Sequence, residues 1–142
     1  MENRSFYNEI LTEHNMRPEF KHDLPDADIV LEGVNPSCGD DIFLKLKVEN
    51  DEIVDGSFVG SGCAISQASA DIMLELIIGK KKEEALHLAD LFLHMIIGTI
   101  KEEDLEQLEE VIALQDISHM PARVKCAVLG WHTMEEMLKK QE

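Results

Sequence analysis

Gly60-Ser61-Gly62 divides the chain into two stretches of different hydrophobic period, and that switch restricts the fold more than any other feature of the sequence. On its N-terminal side Ile42, Leu44, Leu46 and Val48 alternate with Phe43, Lys45 and Lys47, the two-residue period of a half-buried strand. A run at Ile29, Leu31 and Val34 precedes it and ends at Asn35-Pro36. A third run, Ile53, Val54, Phe58 and Val59, follows and is interrupted at Gly56, a residue that weakens a strand interior. Asn50-Asp51-Glu52 reads as the turn between the last two, although it lacks the Gly that a tight hairpin prefers. Three short strands joined this tightly make an antiparallel meander.

On the C-terminal side Ala64, Ala68, Ile72 and Leu76 fall four apart, flanked by Ile65, Met73 and Ile77, which predicts an amphipathic helix over 64–78 stopped by Gly79. Ala85, Leu88, Ala89, Phe92 and Ile96 repeat the pattern up to Gly98. Thr99 and Glu102 have the spacing of a capping box, opening a third helix through Leu105, Leu108, Val111 and Ile112. Ser118 and Pro121 suit the cap and first turn of a final helix, with Val124, Val128, Trp131 and Leu138 on its apolar face. A short stripe at Phe6, Tyr7, Ile10 and Leu11 predicts one more helix near the N-terminus, and residues 15–27 read as an irregular connector. The expectation is an α+β fold in one domain spanning residues 1–142, a three-stranded antiparallel sheet packed against helices.

A formal net charge of −16 argues against a nucleic-acid partner, because phosphate contacts need a basic patch. The longest basic run, Lys80-Lys81-Lys82, follows a helix end, where cations complement the dipole. Residues 1–7 lack the apolar stretch of a signal peptide, and no segment approaches the roughly 18 apolar residues of a membrane span. A cytoplasmic protein without a membrane partner is expected. Its three cysteines cannot all pair with one another, and a reducing compartment disfavours disulfides. Buried inert thiols or metal and nucleophile chemistry remain.

The surroundings of the thiols favour chemistry. Cys38 and Asp40 sit two apart in Asn35-Pro36-Ser37-Cys38-Gly39-Asp40, held out of regular structure by Pro36 and Gly39. Cys63 follows Gly60-Ser61-Gly62 and precedes a helix, whose N–H groups and dipole favour a thiolate. Cys126 lies on the last helix, with Arg123 on its face and Gly130 one turn on, where a glycine suits a close approach to the thiol. Three thiolates and a carboxylate suit a four-coordinate zinc site, with iron the main competitor, but their spacing alone is equally that of three independent buried cysteines. His14 and His22 read as solvated surface groups, His87 and His94 lie far from the thiols, and His119 is held in reserve as a local base.

Three segments carry a resemblance. Asn35 to Asp40, Gly60-Ser61-Gly62-Cys63-Ala64-Ile65-Ser66-Gln67-Ala68-Ser69 and Pro121-Ala122-Arg123-Val124-Lys125-Cys126-Ala127 resemble, in order, the motif segments of the IscU/NifU-like iron–sulfur cluster assembly proteins. The match is closer to the SufU-type branch, since Lys125 stands where IscU scaffolds have a histidine and a helical stretch around residues 80–100 is additional. The resemblance implies an IscU/NifU N-terminal-like fold with the cysteines converging at one end. It implies zinc bound by Cys38, Asp40, Cys63 and Cys126, and Cys38 as the catalytic thiol that accepts persulfide sulfur from a pyridoxal-phosphate cysteine desulfurase of the SufS type. The protein would then act as a sulfurtransferase-like acceptor beside that enzyme, relaying sulfur to downstream iron–sulfur assembly proteins. The alternatives are a scaffold on which iron or an iron–sulfur cluster is held by the same ligands, and a purely structural zinc.

Overall fold

A computed structural model describes residues 2–140, with side chains from Glu9 onward. Its elements run α1 (Glu2–Met16), β1 (Ile29–Asn35), β2 (Asp40–Glu49), β3 (Glu52–Ser61), α2 (Ala64–Ile77), α3 (Lys82–Ile97), α4 (Glu102–Leu105), a 3₁₀ segment (Glu106–His119) and α5 (Pro121–Lys140). The strands form one antiparallel sheet in the order β1-β2-β3, the meander expected from the alternation. Leu31, Leu44 and Phe58 stand in register across it. Ile42, Leu44 and Leu46 are buried on the helix-facing side, whereas Val30, Val34 and Phe43 remain exposed on the other. Phe6 and Tyr7 of the N-terminal stripe lie outside the described side chains, and Ile10 and Leu11 pack against the core. Among the described residues no helix is long and apolar enough to cross a membrane.

The helix after the period switch is more central than an amphipathic surface helix. Ten residues of α2 are buried, from Ser66 to Ile77, because the sheet, α1 and α5 all pack around it. Gly56 does not interrupt β3: a Cβ there would sit 2.8 Å from a methyl of Leu74 and 3.0 Å from one of Leu46, so its hydrogen lets α2 lie close on the strand. Gly130 plays the same part between α5 and α2. Its bare face meets Ala70, so the close approach there is helix to helix, not to the Cys126 thiol. Trp131, fully buried, stacks on Phe92 at 4.2 Å between ring centroids and donates its Nε1–H to Ser69 Oγ. Burial of a side chain this size contributes at least about 1.5–3 kcal/mol.

Two local expectations fail. Thr99 does not cap a third helix; its hydroxyl pairs with His94 Nδ1 at 2.6 Å, and Lys101 precedes α4 with no side-chain cap. That helix lasts four residues before passing into the 3₁₀ segment, which is itself broken at Glu109 (φ 49°, ψ −124°). Glu102, Glu106 and Glu110 fall at four-residue spacing, and like charges at that spacing oppose a continuous helix. Ser118 belongs to the same 3₁₀ segment, so α5 starts at Pro121 as its first helical residue without a serine cap. The lysine run behaves as expected: Lys80 Nζ donates to Leu76 O at the end of α2, and Lys82 pairs with Asp51 of the β2–β3 turn. In that turn Asn50 and Asp51 adopt positive φ (52° and 65°), so an Asn-Asp pair supplies the tight hairpin without glycine.

Candidate metal centre

The strand register builds the site. Asn35 ends β1 and Asp40 begins β2, paired across a hairpin whose turn is closed by Cys38 N–H to Asn35 O (3.2 Å) and Gly39 N–H to Pro36 O (3.4 Å). Gly39 takes the positive φ (72°) that the turn requires. Counting back by twos from Leu46, Leu44 and Ile42 puts Asp40 on the buried face, where it is 1% exposed. Helix α5 crosses the same end of the sheet and delivers Cys126, fully buried, into this corner. The result is that the Cys126 and Cys38 sulfurs lie 3.0 Å apart, with Cys38 half-exposed at the rim. One metal-ligating atom from each of Cys38, Asp40 and Cys126 falls within 4.8 Å of the other two.

Asp40 is held from both sides. Its Oδ1 accepts the backbone N–H of Cys63 (2.8 Å) and the hydroxyl of Ser66 (3.1 Å); its Oδ2 accepts Asn35 Nδ2–H (3.3 Å). Asn35 Nδ2 also reaches Cys126 Sγ at 3.7 Å, so one buried amide ties the carboxylate to the thiol. Gly62 makes this possible, since a Cβ there would come within 2.9 Å of Asp40 Oδ1. Cys63 is the N-cap of α2, as its position before a helix suggested, and its sulfur accepts the N–H of Ser66 (3.4 Å). It stands outside the trio in mutual reach, although its sulfur neighbours that of Cys126.

Burial, and then the neighbouring Cys38 and Cys63 sulfurs, push the Cys126 thiol well above its ordinary range. A thiol in that state is inert unless a cation replaces its proton, and a bound divalent ion reverses the balance outright. Soft sulfur, one carboxylate and hydrogen-bonded support for that carboxylate fit zinc or iron. Arg123 is exposed, with no side-chain ion pair or hydrogen bond among the described residues, and Lys125 is exposed beside it.

His14 departs from expectation. It is not a solvated surface group: it is 8% exposed, and its Nδ1 lies 2.6 Å from Asp71 of α2 and its Nε2 3.0 Å from Glu110 of the 3₁₀ segment. The Asp71 carboxylate, and more weakly Glu110, raise its pKa to about 9 against the opposing effect of burial. The sequence signal was an aspartate on the otherwise apolar face of α2. His22 is exposed as expected. Asn35 and Ser66 were also missed as supports of Asp40; the two-residue register would have found the first.

The chain matches the family model described as the NifU-like N-terminal domain over residues 6–127. It is 43% identical over 137 residues to a Thermotoga maritima protein named iron–sulfur cluster assembly scaffold protein IscU, covering 96% of this chain and 95% of that one. It is 38% identical to the Bacillus subtilis protein named zinc-dependent sulfurtransferase SufU, covering 97% and 92%. A crystal structure from Fervidobacterium islandicum, of a candidate iron–sulfur cluster assembly scaffold protein for the SUF system, superposes with a TM-score of 0.86 at 40% identity, covering 92% of this chain and 94% of that one. The N-terminal region of a NifU-like protein from Brucella abortus shares the fold, with a TM-score of 0.82 at 20% identity over 94% of this chain and 92% of its own.

Proposed function

The chain belongs to the family of the NifU-like N-terminal domain, among its IscU/SufU-type members of iron–sulfur cluster assembly, and on that premise we propose that it is a zinc-dependent sulfur-transfer protein with Cys38 as the acceptor. The observation that carries the reading is the contrast between two sulfurs 3.0 Å apart: Cys38 is half-exposed on a turn, while Cys126 is buried on a helix. A persulfide on a partner enzyme can reach the first and not the second. The resemblance to the Bacillus subtilis sulfurtransferase supports zinc as the ion.

Cys38, Asp40, Cys63 and Cys126 would hold the ion, Cys63 by turning its sulfur from the Ser66 N–H toward the other three. When bound, zinc keeps the thiols deprotonated and restrains them as nucleophiles. The chain's own residues do the rest. Asn35 and Ser66 keep Asp40 in place while Cys38 leaves on its hairpin turn. The Cys38 thiolate then attacks the outer sulfur of a cysteine desulfurase persulfide; the S–S bond breaks, the enzyme's thiolate leaves, and Cys38 carries the sulfur as a new persulfide. Downstream assembly proteins would collect it.

A scaffold role has its own support, because the Thermotoga maritima relative carries that name at 43% identity and the same ligands suit an iron–sulfur cluster. The test is the intact mass of the zinc-loaded protein after incubation with a cysteine desulfurase and cysteine. A gain of one sulfur mapping to Cys38, abolished in a folded Cys38→Ala variant, supports transfer. No gain, together with a cluster that forms on added iron and passes intact to an acceptor, moves the assignment to the scaffold.

A further inference from the structure

At the far side of α2 from the thiols, we propose a second divalent-cation site, made by His14 Nε2, Glu75 and Glu110, with Asp71 orienting the imidazole. Three elements converge there. Helix α1 supplies His14, α2 supplies Asp71 and, one turn on, Glu75, and the 3₁₀ segment supplies Glu110. One ligating atom from each of His14, Glu75 and Glu110 lies within 4.8 Å of the other two.

The imidazole is arranged as a ligand is. A metal-binding histidine nearly always gives its other ring N–H to a carboxylate, a backbone carbonyl or a water, which fixes the tautomer and the ring plane. Asp71 does this here: its side chain is 1% exposed, it meets Nδ1 at 2.6 Å, and its second oxygen is locked by the backbone N–H of Phe20 at 2.8 Å. Nε2 is left facing the carboxylates. Its 3.0 Å separation from Glu110 Oε1 also matches the spacing of adjacent ligands around an ion bound at about 2.0–2.2 Å. In the metal-free chain a proton fills that gap, and the ion would take its place.

Charge points the same way. Two carboxylates, Glu75 and Glu110, converge on one imidazole already paired with Asp71, so acidic groups outnumber the base there. A cleft bordered by Glu9, Glu13, His14 and Glu110 opens onto the cluster, so an ion can enter. One imidazole with two carboxylates suits divalent ions of the first transition row, manganese included, unlike the sulfur-rich corner around Cys38.

Manganese(II) separates the two places, because it favours oxygen ligands over thiolate. The full, reduced chain would be titrated with Mn²⁺, following bound metal by electron paramagnetic resonance and broadening of NMR signals. The expected result is one ion per chain, with broadening centred on Ile10, His14, Glu75 and Leu108 and the signals of Cys38 and Gly39 spared. Glu75→Gln and Glu110→Gln, both at exposed positions and checked for fold by circular dichroism, should each weaken binding about tenfold or more. No broadening around His14 at millimolar Mn²⁺, broadening centred on Asp40, or unchanged affinity in both variants would overturn the assignment and leave the cluster an ion-pair clamp. None of these outcomes depends on whether Cys38 accepts sulfur.

Discussion

Cys38 and Cys126 are 88 residues apart in the chain, and their sulfurs are 3.0 Å apart in the fold. Sulfurs this close are the pair an oxidant joins once no ion holds them, although the proton that Cys126 retains slows the step. Treating the metal-stripped protein with diamide, which takes up the two electrons and two protons released, should therefore join Cys38 to Cys126. Cys63, with its sulfur turned to Ser66, should remain free. Zinc loading should slow the reaction about tenfold or more. Peptide mapping after alkylation reads the outcome, and a cross-link involving Cys63 would show that the metal-free site has a different arrangement.

Gly62→Ala tests the seat of Asp40 without touching a ligand. The added methyl would come 2.9 Å from Asp40 Oδ1 and 2.4 Å from Ser66 Oγ, so the carboxylate and its hydroxyl partner must move. Loss of this kind of support lowers metal affinity about 10–100-fold. Gly39→Ala is the contrast, since no atom of the described residues lies within 4 Å of its new Cβ and only the positive φ (72°) is opposed. It should lose about 1 kcal/mol of stability and keep its zinc affinity far better. Competition with a chromophoric chelator, beside thermal melts of both variants, distinguishes the two effects.

Ser69→Ala strikes the join between α2 and α5. The Ser69 hydroxyl donates to Ala127 O at 2.6 Å and accepts from Trp131 Nε1 at 3.0 Å, all three groups being buried. Alanine leaves the indole N–H without its acceptor, a loss of about 1–3 kcal/mol. Urea denaturation followed by Trp131 fluorescence should show it, the chain having one tryptophan. Because Ala127 follows Cys126, a drop in zinc affinity larger than the drop in stability would mean that the join also positions the thiol.

The parts of this fold that are legible in the sequence are those governed by local periods. Alternation at 42–48 and fourfold spacing at 64–76 depend only on neighbours in the chain, and both survive in the structure as β2 and α2. The segment after Gly98 is illegible for the opposite reason. Its capping-box spacing competes with acidic repulsion and with the His94–Thr99 contact, and neither is weighed by a motif. At the site, glycine, proline or cationic neighbours drew attention to Cys38, Cys63 and Cys126, but not to what surrounds them in the fold. Asn35 matters only through its cross-strand pairing with Asp40, and His14 only through a partner 57 residues away, and such pairings follow from the assembled fold.

The His14 clamp gives the chelator-treated protein a particular pH dependence. Its pKa rises from 6.5 unfolded to about 9 folded, chiefly through Asp71, with Glu110 adding and burial opposing. A group whose pKa is higher in the folded state binds its proton more tightly there, so its stabilisation is fully present below pH 6.5. As pH climbs from 6.5 through about 9 the unfolded chain loses its proton first, and the advantage disappears. Glu110, and more weakly Glu75, face the same ring and add to its hold on the proton. Urea midpoints measured between pH 6 and 10 should fall across that range. Asp71→Asn keeps an acceptor for the Phe20 N–H but removes the charge, and should flatten the fall while lowering stability at neutral pH. An equal slope in the variant would mean that α1 is held to α2 by its apolar contacts, with the His14–Asp71 pair contributing nothing that titrates.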